Sequence, residues 1–405
     1  MSLSRREFLA SITGITLLAS AAPAAFGAQT PSNKYAIAGK VIFGDATHPL
    51  KDHAVLVNGG RIETIMPAKG ITDRPVIAPP GATILPGVIN VHCHRLHSPE
   101  DRNQRWLQHG VTSIGDAASP LTAMPLLADS PTGRTATAAF SGPMLAPPGG
   151  YPLPVHSPDH ALIVKSPQQA RDAVRQLYDL GAGMVKMAFE PGVMPRSWPL
   201  FDPPTAEAIC SEARKKSMIV RCHIEDLAGL EPALNAGVNT VEHVPHRWNI
   251  GSVTKHVLHR IDGKLEPIPY YKALLERMVR DDVILTPTLD VLSRSAWNGP
   301  ELYEPVRAFS ALGGHIALGN DFPYKRTEAG MPMSEMRLLT KAGLDNSGII
   351  RTATQNSAKA CGFTDRGVLA PGKAADMLVV KGDPLIDLEV LNIPLHVVKD
   401  GVFIR

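Results

Sequence analysis

The chain has 405 residues, of which 44% are hydrophobic and 20% charged, and a formal net charge of +3. That length is too great for one small domain and is enough to bury a large core. The near-balanced charge, with no run of Lys or Arg, argues against a nucleic-acid binder, and 36 prolines spread along the chain suit a fold with many loops.

Residues 1–28 read as an export signal. Ser4-Arg5-Arg6-Glu7-Phe8-Leu9 leads into an apolar stretch from Ala10 to Ala25, and small residues follow around Ala25-Phe26-Gly27-Ala28. Paired arginines before Phe8-Leu9 have the form of a twin-arginine signal, which exports proteins already folded, so a periplasmic or secreted location is expected. The segment is short for a membrane span and broken by Pro23, which favours cleavage over anchoring. No later stretch approaches ~20 continuous apolar residues, so no stable membrane insertion is expected after cleavage. Cys93, Cys210, Cys222 and Cys361 show no CxxC spacing. A chain that folds in the reducing cytoplasm has no need of disulfides and can load a metal before export.

From residue 34 to 84 short alternating runs are separated by turn residues, with Asn58-Gly59 as a tight-hairpin signal between His53–Val57 and Gly60–Ile65. Residues 363–405 repeat the style in Asp376–Val380 and Leu395–Val402. Two β-rich ends around a long middle predict one small β-sandwich domain built from both termini. In the middle, residues 85–362, β-branched or apolar runs recur at Gly87–Val91, Val111–Ile114, Thr135–Phe140, Met184–Met187, Met218–His223, Thr240–His243, Val283–Thr286 and Ile316–Leu318. Helical spacing of apolar residues lies between most of them, as in Pro167–Leu180 and Thr205–Ser217. Eight strand-then-helix units predict a (β/α)8, or TIM, barrel, an α/β fold.

His92-Cys93-His94 ends the first of these runs, and alternation across a strand puts His92 and His94 on one face, where both imidazoles can reach one ion. An HxH alone is commonly incidental. Here Lys186 closes the fourth run, His223 the fifth and His243 the sixth, while Asp321 follows the eighth. Active sites of such barrels form at the carboxyl ends of the strands, so a cluster of metal-competent residues at that edge is expected to be a site. On residue type alone Lys186 reads equally well as a strand-end charge, and Asp321 more readily as a turn residue in Gly319-Asn320-Asp321.

The same residues carry a resemblance. Leu85-Pro86-Gly87-Val88-Ile89-Asn90-Val91-His92-Cys93-His94, His109–Ser113, Gly181–Lys186, Ala236–His243 and the tail Gly367–Val380 together resemble the amidohydrolase superfamily, near its imidazolonepropionase-related branch. The resemblance implies two divalent metal ions, zinc by ligand type. His92, His94 and Asp321 would hold one ion, His223 and His243 the second, and a carbamate on Lys186 would bridge them. It also implies that Asp321 accepts a proton from a metal-activated water and returns it to the leaving group. Two positions depart from the family pattern: Asn90 stands where Asp is usual, and Asn320 where Thr is usual.

The expected reaction is hydrolysis of a C–N bond in an amide, cyclic amide or small peptide, with a small molecule as the partner. Ester, lactone or phosphotriester hydrolysis is the alternative on the same site. Deamination is disfavoured, because mononuclear deaminases of this superfamily place Glu where this chain has Asp226. An alternative of another class is a non-catalytic periplasmic binding protein, against which the intact set of site residues argues. Tyr151, in the loop after the third strand, and His246 and Trp248, just past His243, are candidate substrate contacts. Homo-oligomerisation is compatible with the sequence.

Overall fold

The computed structural model describes residues 33–192, 197–250, 253–295 and 298–404; the expected signal segment, 1–28, lies outside them. Strands from both chain ends pair in a single sheet. Its order is Val402–Phe403, His396–Lys399, Met377–Lys381, Ala82–Pro86, Lys34–Val41, Leu50–Asn58 and Arg61–Pro67, with Val76–Ile77 also beside Lys34–Val41. Its apolar face includes Ile37, Val55, Ile84, Met377 and Val379. The hairpin falls where expected but one residue later. Asn58 pairs with Arg61, so Gly59 and Gly60 form the turn with φ 58 and 84, values that glycine adopts without steric cost.

All eight predicted runs in the middle of the chain carry parallel pairing. Val88–Cys93, Val111–Asp116 and Thr137–Phe140 form one parallel set, and Met184–Ala188, Ile219–His223, Thr240–Glu242 and Ile284–Thr286 another. The eighth run is too short to register as a strand but joins the two sets. Ile316 bridges Leu285, and Val91 N–H donates to Leu318 O at 2.7 Å. Close approach fixes the residue types here: a Cβ on Gly319 would lie 2.6 Å from the His92 Cβ. Parallel pairing puts the carboxyl ends of these strands on one edge.

Helices cover the strands for the reasons their sequences give. Pro167–Asp179 starts at Ser166, whose hydroxyl accepts from Gln169 N–H at 3.3 Å, and buries Ala170, Ala173, Val174 and Leu177. Pro203–Lys215 starts at Asp202, which accepts from Thr205 N–H at 3.0 Å. Two hairpins, Trp248–Ile250 with Val253–Lys255 and Leu258–Ile261 with Lys264–Pro267, were not anticipated. Cys93, Cys210, Cys222 and Cys361 are all free and buried. No helix among the described residues is long and apolar enough to cross a membrane.

Candidate metal centre

Strand ends decide the site. His92 lies one residue before the end of Val88–Cys93 and His94 one beyond it, Lys186 lies within Met184–Ala188, and His223 ends Ile219–His223. His243 follows Thr240–Glu242, one residue short of the expected strand end, because its backbone turns left-handed (φ 71). Asp321 is also left-handed (φ 58). Non-glycine residues hold such angles only where surroundings over-determine them. Here His243 N–H donates to Thr286 O at 2.8 Å and Asp321 N–H to His92 O at 2.9 Å. These side chains line one cavity of about 220 Å³.

Three of the four imidazoles are oriented from behind. His92 Nδ1 donates to Glu242 Oε2 at 2.7 Å, His94 Nδ1 to Ala118 O at 3.2 Å, and His243 Nδ1 pairs with the Thr288 hydroxyl at 2.6 Å. With Nδ1 of His92 and His94 donating to these oxygens, Nε2 of both rings keeps its lone pair, the tautomer a metal requires. The Nε2 atoms of His92 and His94 lie 3.4 and 3.1 Å from Asp321 Oδ1. His223 and His243 rings stand 4.5 Å apart, and Tyr151 stacks on His223 at 4.1 Å.

Electrostatics favour cation binding. Burial pushes His92, His223 and His243 below the usual histidine range, which keeps them neutral and able to ligate. Burial alone would raise the Asp321 carboxyl, but His92 and His94 hold it well below the usual carboxylate range. Lys186 Nζ is buried with no hydrogen-bond partner, and burial pushes it down to about 8 despite nearby Glu242. An orphaned buried amine is costly as an ammonium, and an anionic group built on it beside a dication removes that cost. Potential ligand atoms of His92, His243 and Asp321 fall within 4.8 Å of one another, as do those of His223, Glu225 and His243. The donor set therefore fits divalent ions of the zinc type.

Not every candidate belongs to this cavity. Tyr151 lines it, but His246 and Trp248 do not. His246 folds back on its own turn, Nδ1 to Val244 O at 3.1 Å, and Trp248 stacks on Tyr270 at 5.4 Å. Trp248 opens a hairpin with Val253–Lys255 that carries it away. Asp226 is occupied by loop backbone, accepting from Ala228 N–H and from Asn249 N–H and Nδ2. Residues that sequence reasoning missed include Glu225, His156, His160, Tyr324 and Lys325, all lining the cavity. Glu225 carried a signal, since it lies two residues from His223; the others come from loops without one. Glu242 was missed as well. It is buried, held by Arg221 Nε and Nη2 at 2.9 and 2.6 Å, and it orients His92.

The two departures from the family pattern meet each other. Asn90 Nδ2 donates to Asn320 Oδ1 at 2.8 Å, Asn90 Oδ1 accepts from His92 N–H at 3.2 Å, and Asn320 Nδ2 donates to Glu328 O at 2.8 Å. The Asn90 side chain thus ties the backbone of His92 to the residue beside Asp321.

Comparison with known proteins agrees with this geometry. Ochratoxinase from Aspergillus niger is 26% identical over 257 residues, 59% of this chain. The chain spans half the length of that curated relative. A crystal structure of a Xaa-Pro dipeptidase with bound methionine superposes with a TM-score of 0.73 at 22% identity, covering 91% of this chain and 99% of the other. The crystal structure of A. niger ochratoxinase gives 0.74 at 19% identity, covering 93% and 96%. These likenesses establish a shared fold. The sequence profile described as Amidohydrolase family matches residues 83–404, and with most of the chain inside that match, the protein belongs to the amidohydrolase family.

Proposed function

We propose that this protein is a metal-dependent hydrolase of carbon–nitrogen bonds in amides, cyclic amides or small peptides. The observation that carries the reading is the convergence of His92, His94, His223, His243, Asp321 and the partnerless amine of Lys186 on one cavity. A relative named ochratoxinase and a fold-sharing Xaa-Pro dipeptidase support the bond class.

On this reading His92, His94 and Asp321 would hold one divalent ion and His223 and His243 a second, and Lys186 would contribute an anionic ligand as a carbamate, formed when its amine adds to carbon dioxide and sheds a proton. When bound, such ions supply Lewis acidity and a water of lowered pKa. Asp321 accepts the proton of the attacking water as the carbon–oxygen bond forms, then delivers it to the departing nitrogen as the carbon–nitrogen bond breaks. Tyr151, stacked on His223, closes one wall and limits the water that reaches the reacting carbonyl. Asp226, engaged by its loop, is unavailable for the proton transfer of a deaminase.

The parallel strands of residues 85–362 are proposed to close as a (β/α)8 barrel. The terminal sheet, from residues 34–84 and 363–405, is proposed to fold over as a small β-sandwich domain. Export through residues 1–28 to the periplasm or outside the cell completes the proposal. Metal-loaded protein challenged with dipeptides, N-acyl amino acids, lactones and aryl esters tests the function. Turnover of amides is expected; turnover of only lactones or esters would replace the bond class, and binding without turnover would favour a non-catalytic role.

A further inference from the structure

The mouth of the cavity carries charge that the metal centre does not use. Lys325 lines it, and the Arg95 guanidinium carbon lies 5.8 Å from the ring of Tyr324, another lining residue. Among the described residues neither cation has a carboxylate within ion-pair distance. The acids that line the cavity are otherwise engaged: Asp321 faces His92 and His94, and Glu225 accepts from Arg247 at 2.7 Å.

The backbone supporting these cations is strained. Lys325, Arg326 and Arg95 have φ of 47, 62 and 59, a region that side chains other than glycine avoid. The loop is held there by Tyr324 N–H to Asp321 O at 3.0 Å, by Thr327 N–H to Tyr324 O at 3.0 Å, and by Arg294 Nη1 to Arg326 O at 2.9 Å. Arg294 is itself pinned by Asp290 at 2.8 Å. Strain held in place at a cavity mouth is a feature of ligand clamps.

Beside the cations stand neutral hydrogen-bonding groups. His156 Nε2 pairs with the Tyr151 hydroxyl at 3.1 Å and its Nδ1 faces the Tyr324 hydroxyl at 3.5 Å. Burial, aided by Arg95, holds His156 and His160 below the usual histidine range. Met144, Val291 and Leu292 give the cavity an apolar wall.

We propose that Lys325 and Arg95 form a carboxylate clamp, so that the substrates of this site are amides carrying a free carboxylate and an apolar body. A cationic group at the same place would meet like charge, and a neutral one would leave both cations without a partner. The assignment rests on the amide-hydrolase reading for its chemistry but not for the clamp itself. Charge-assisted bonds to a carboxylate are among the stronger polar contacts, and exposed cations remain open to screening by salt.

The test uses metal-loaded enzyme with N-acetyl-L-phenylalanine, N-acetyl-L-leucine and N-acetyl-L-proline, each beside its primary carboxamide, and with succinamic acid beside succinamide. The acid should be preferred by about 10- to 100-fold in kcat/KM, mostly through KM. That ratio should shrink as ionic strength rises from ~50 to ~500 mM. Lys325→Met should bring the ratio towards one, and Lys325→Arg should retain most of it. Equal rates on acid and amide in the wild type, or an unchanged ratio in Lys325→Met, would overturn the clamp while leaving the hydrolase standing. If nothing in the panel turns over, calorimetry of metal-loaded Asp321→Asn with the same pairs decides. Tighter binding of the acids, abolished by adding Lys325→Met, supports the clamp, and equal binding of acid and amide rejects it.

Discussion

The floor and the mouth of the cavity are built differently. On the floor, Glu242 is buried among Arg221, Thr240 and His92 and bonded to all three. Around the mouth, Lys325 and Arg95 are exposed and lack ionic partners among the described residues. A floor that must hold several imidazoles in fixed tautomers needs rigid polar neighbours, because a ligand even slightly misplaced binds its ion poorly. A mouth that meets substrates from solvent gains from leaving charge unsatisfied until one arrives. Changes on the floor should therefore act on metal and turnover together, and changes at the mouth on substrate choice.

The largest effect is expected at Asp321. Asp321→Asn preserves size and one ligating oxygen, so the fold and at least one ion should remain, but the amide cannot take up or return the proton. A loss at or beyond the upper end of the ~10²–10⁴-fold range typical of general acid–base groups is expected. Metal analysis, thermal melting and turnover on one sample would test it, and activity within a few-fold of wild type would remove Asp321 from its role.

Next comes Glu242→Gln. It leaves the Arg221 guanidinium buried beside a neutral amide, and breaking such a pair typically costs ~3–5 kcal/mol. It also loosens His92, for which a ~10–100-fold loss in metal affinity is typical. Chelator competition and thermal melting measure the two. Unchanged metal affinity would mean that Glu242 serves the core alone.

Much of this was legible in the sequence, for a physical reason. Strand ends are set by hydrophobic runs, and the carboxyl edge of a parallel sheet gathers whatever follows those runs, so His92, His94, His223 and His243 could be placed at that edge without coordinates, whereas Lys186 and Asp321 were singled out only through the family resemblance. The terminal sheet was legible through its alternation and the Asn58-Gly59 signal. Loop residues have no such periodicity. His156, Tyr324 and Lys325 reach the cavity by paths that only the folded backbone defines, and Trp248 lies outside it in a hairpin that the sequence did not announce. Glu242 was hidden for another reason: beside a ligand histidine, its own role depends on Arg221, a strand away.

A smaller effect should separate co-adaptation from coincidence at Asn90 and Asn320. Asn90→Asp replaces a donor with an acceptor facing Asn320 Oδ1, and relief requires the Asn320 amide to flip and lose its bond to Glu328 O. A cost of about 1–3 kcal/mol is expected, the penalty for an unsatisfied buried group. Adding Asn320→Thr supplies a hydroxyl donor and should recover a large part of it. Additive effects in the double variant would show that the pair is not coupled. The smallest effect belongs to Trp248→Leu, where turnover should stay within about two-fold of wild type, because the side chain stacks on Tyr270 outside the cavity. A large loss there, with the melting temperature intact, would return Trp248 to the site.

The most direct test is elemental analysis of purified mature protein, prepared without chelator, beside Lys186→Ala made the same way. The account predicts close to two divalent ions per active wild-type chain, and a variant that binds metal poorly, loses most activity and regains part of both with a short carboxylic acid in the medium. One ion or none in active wild-type protein, or full activity in Lys186→Ala without additive, would contradict it.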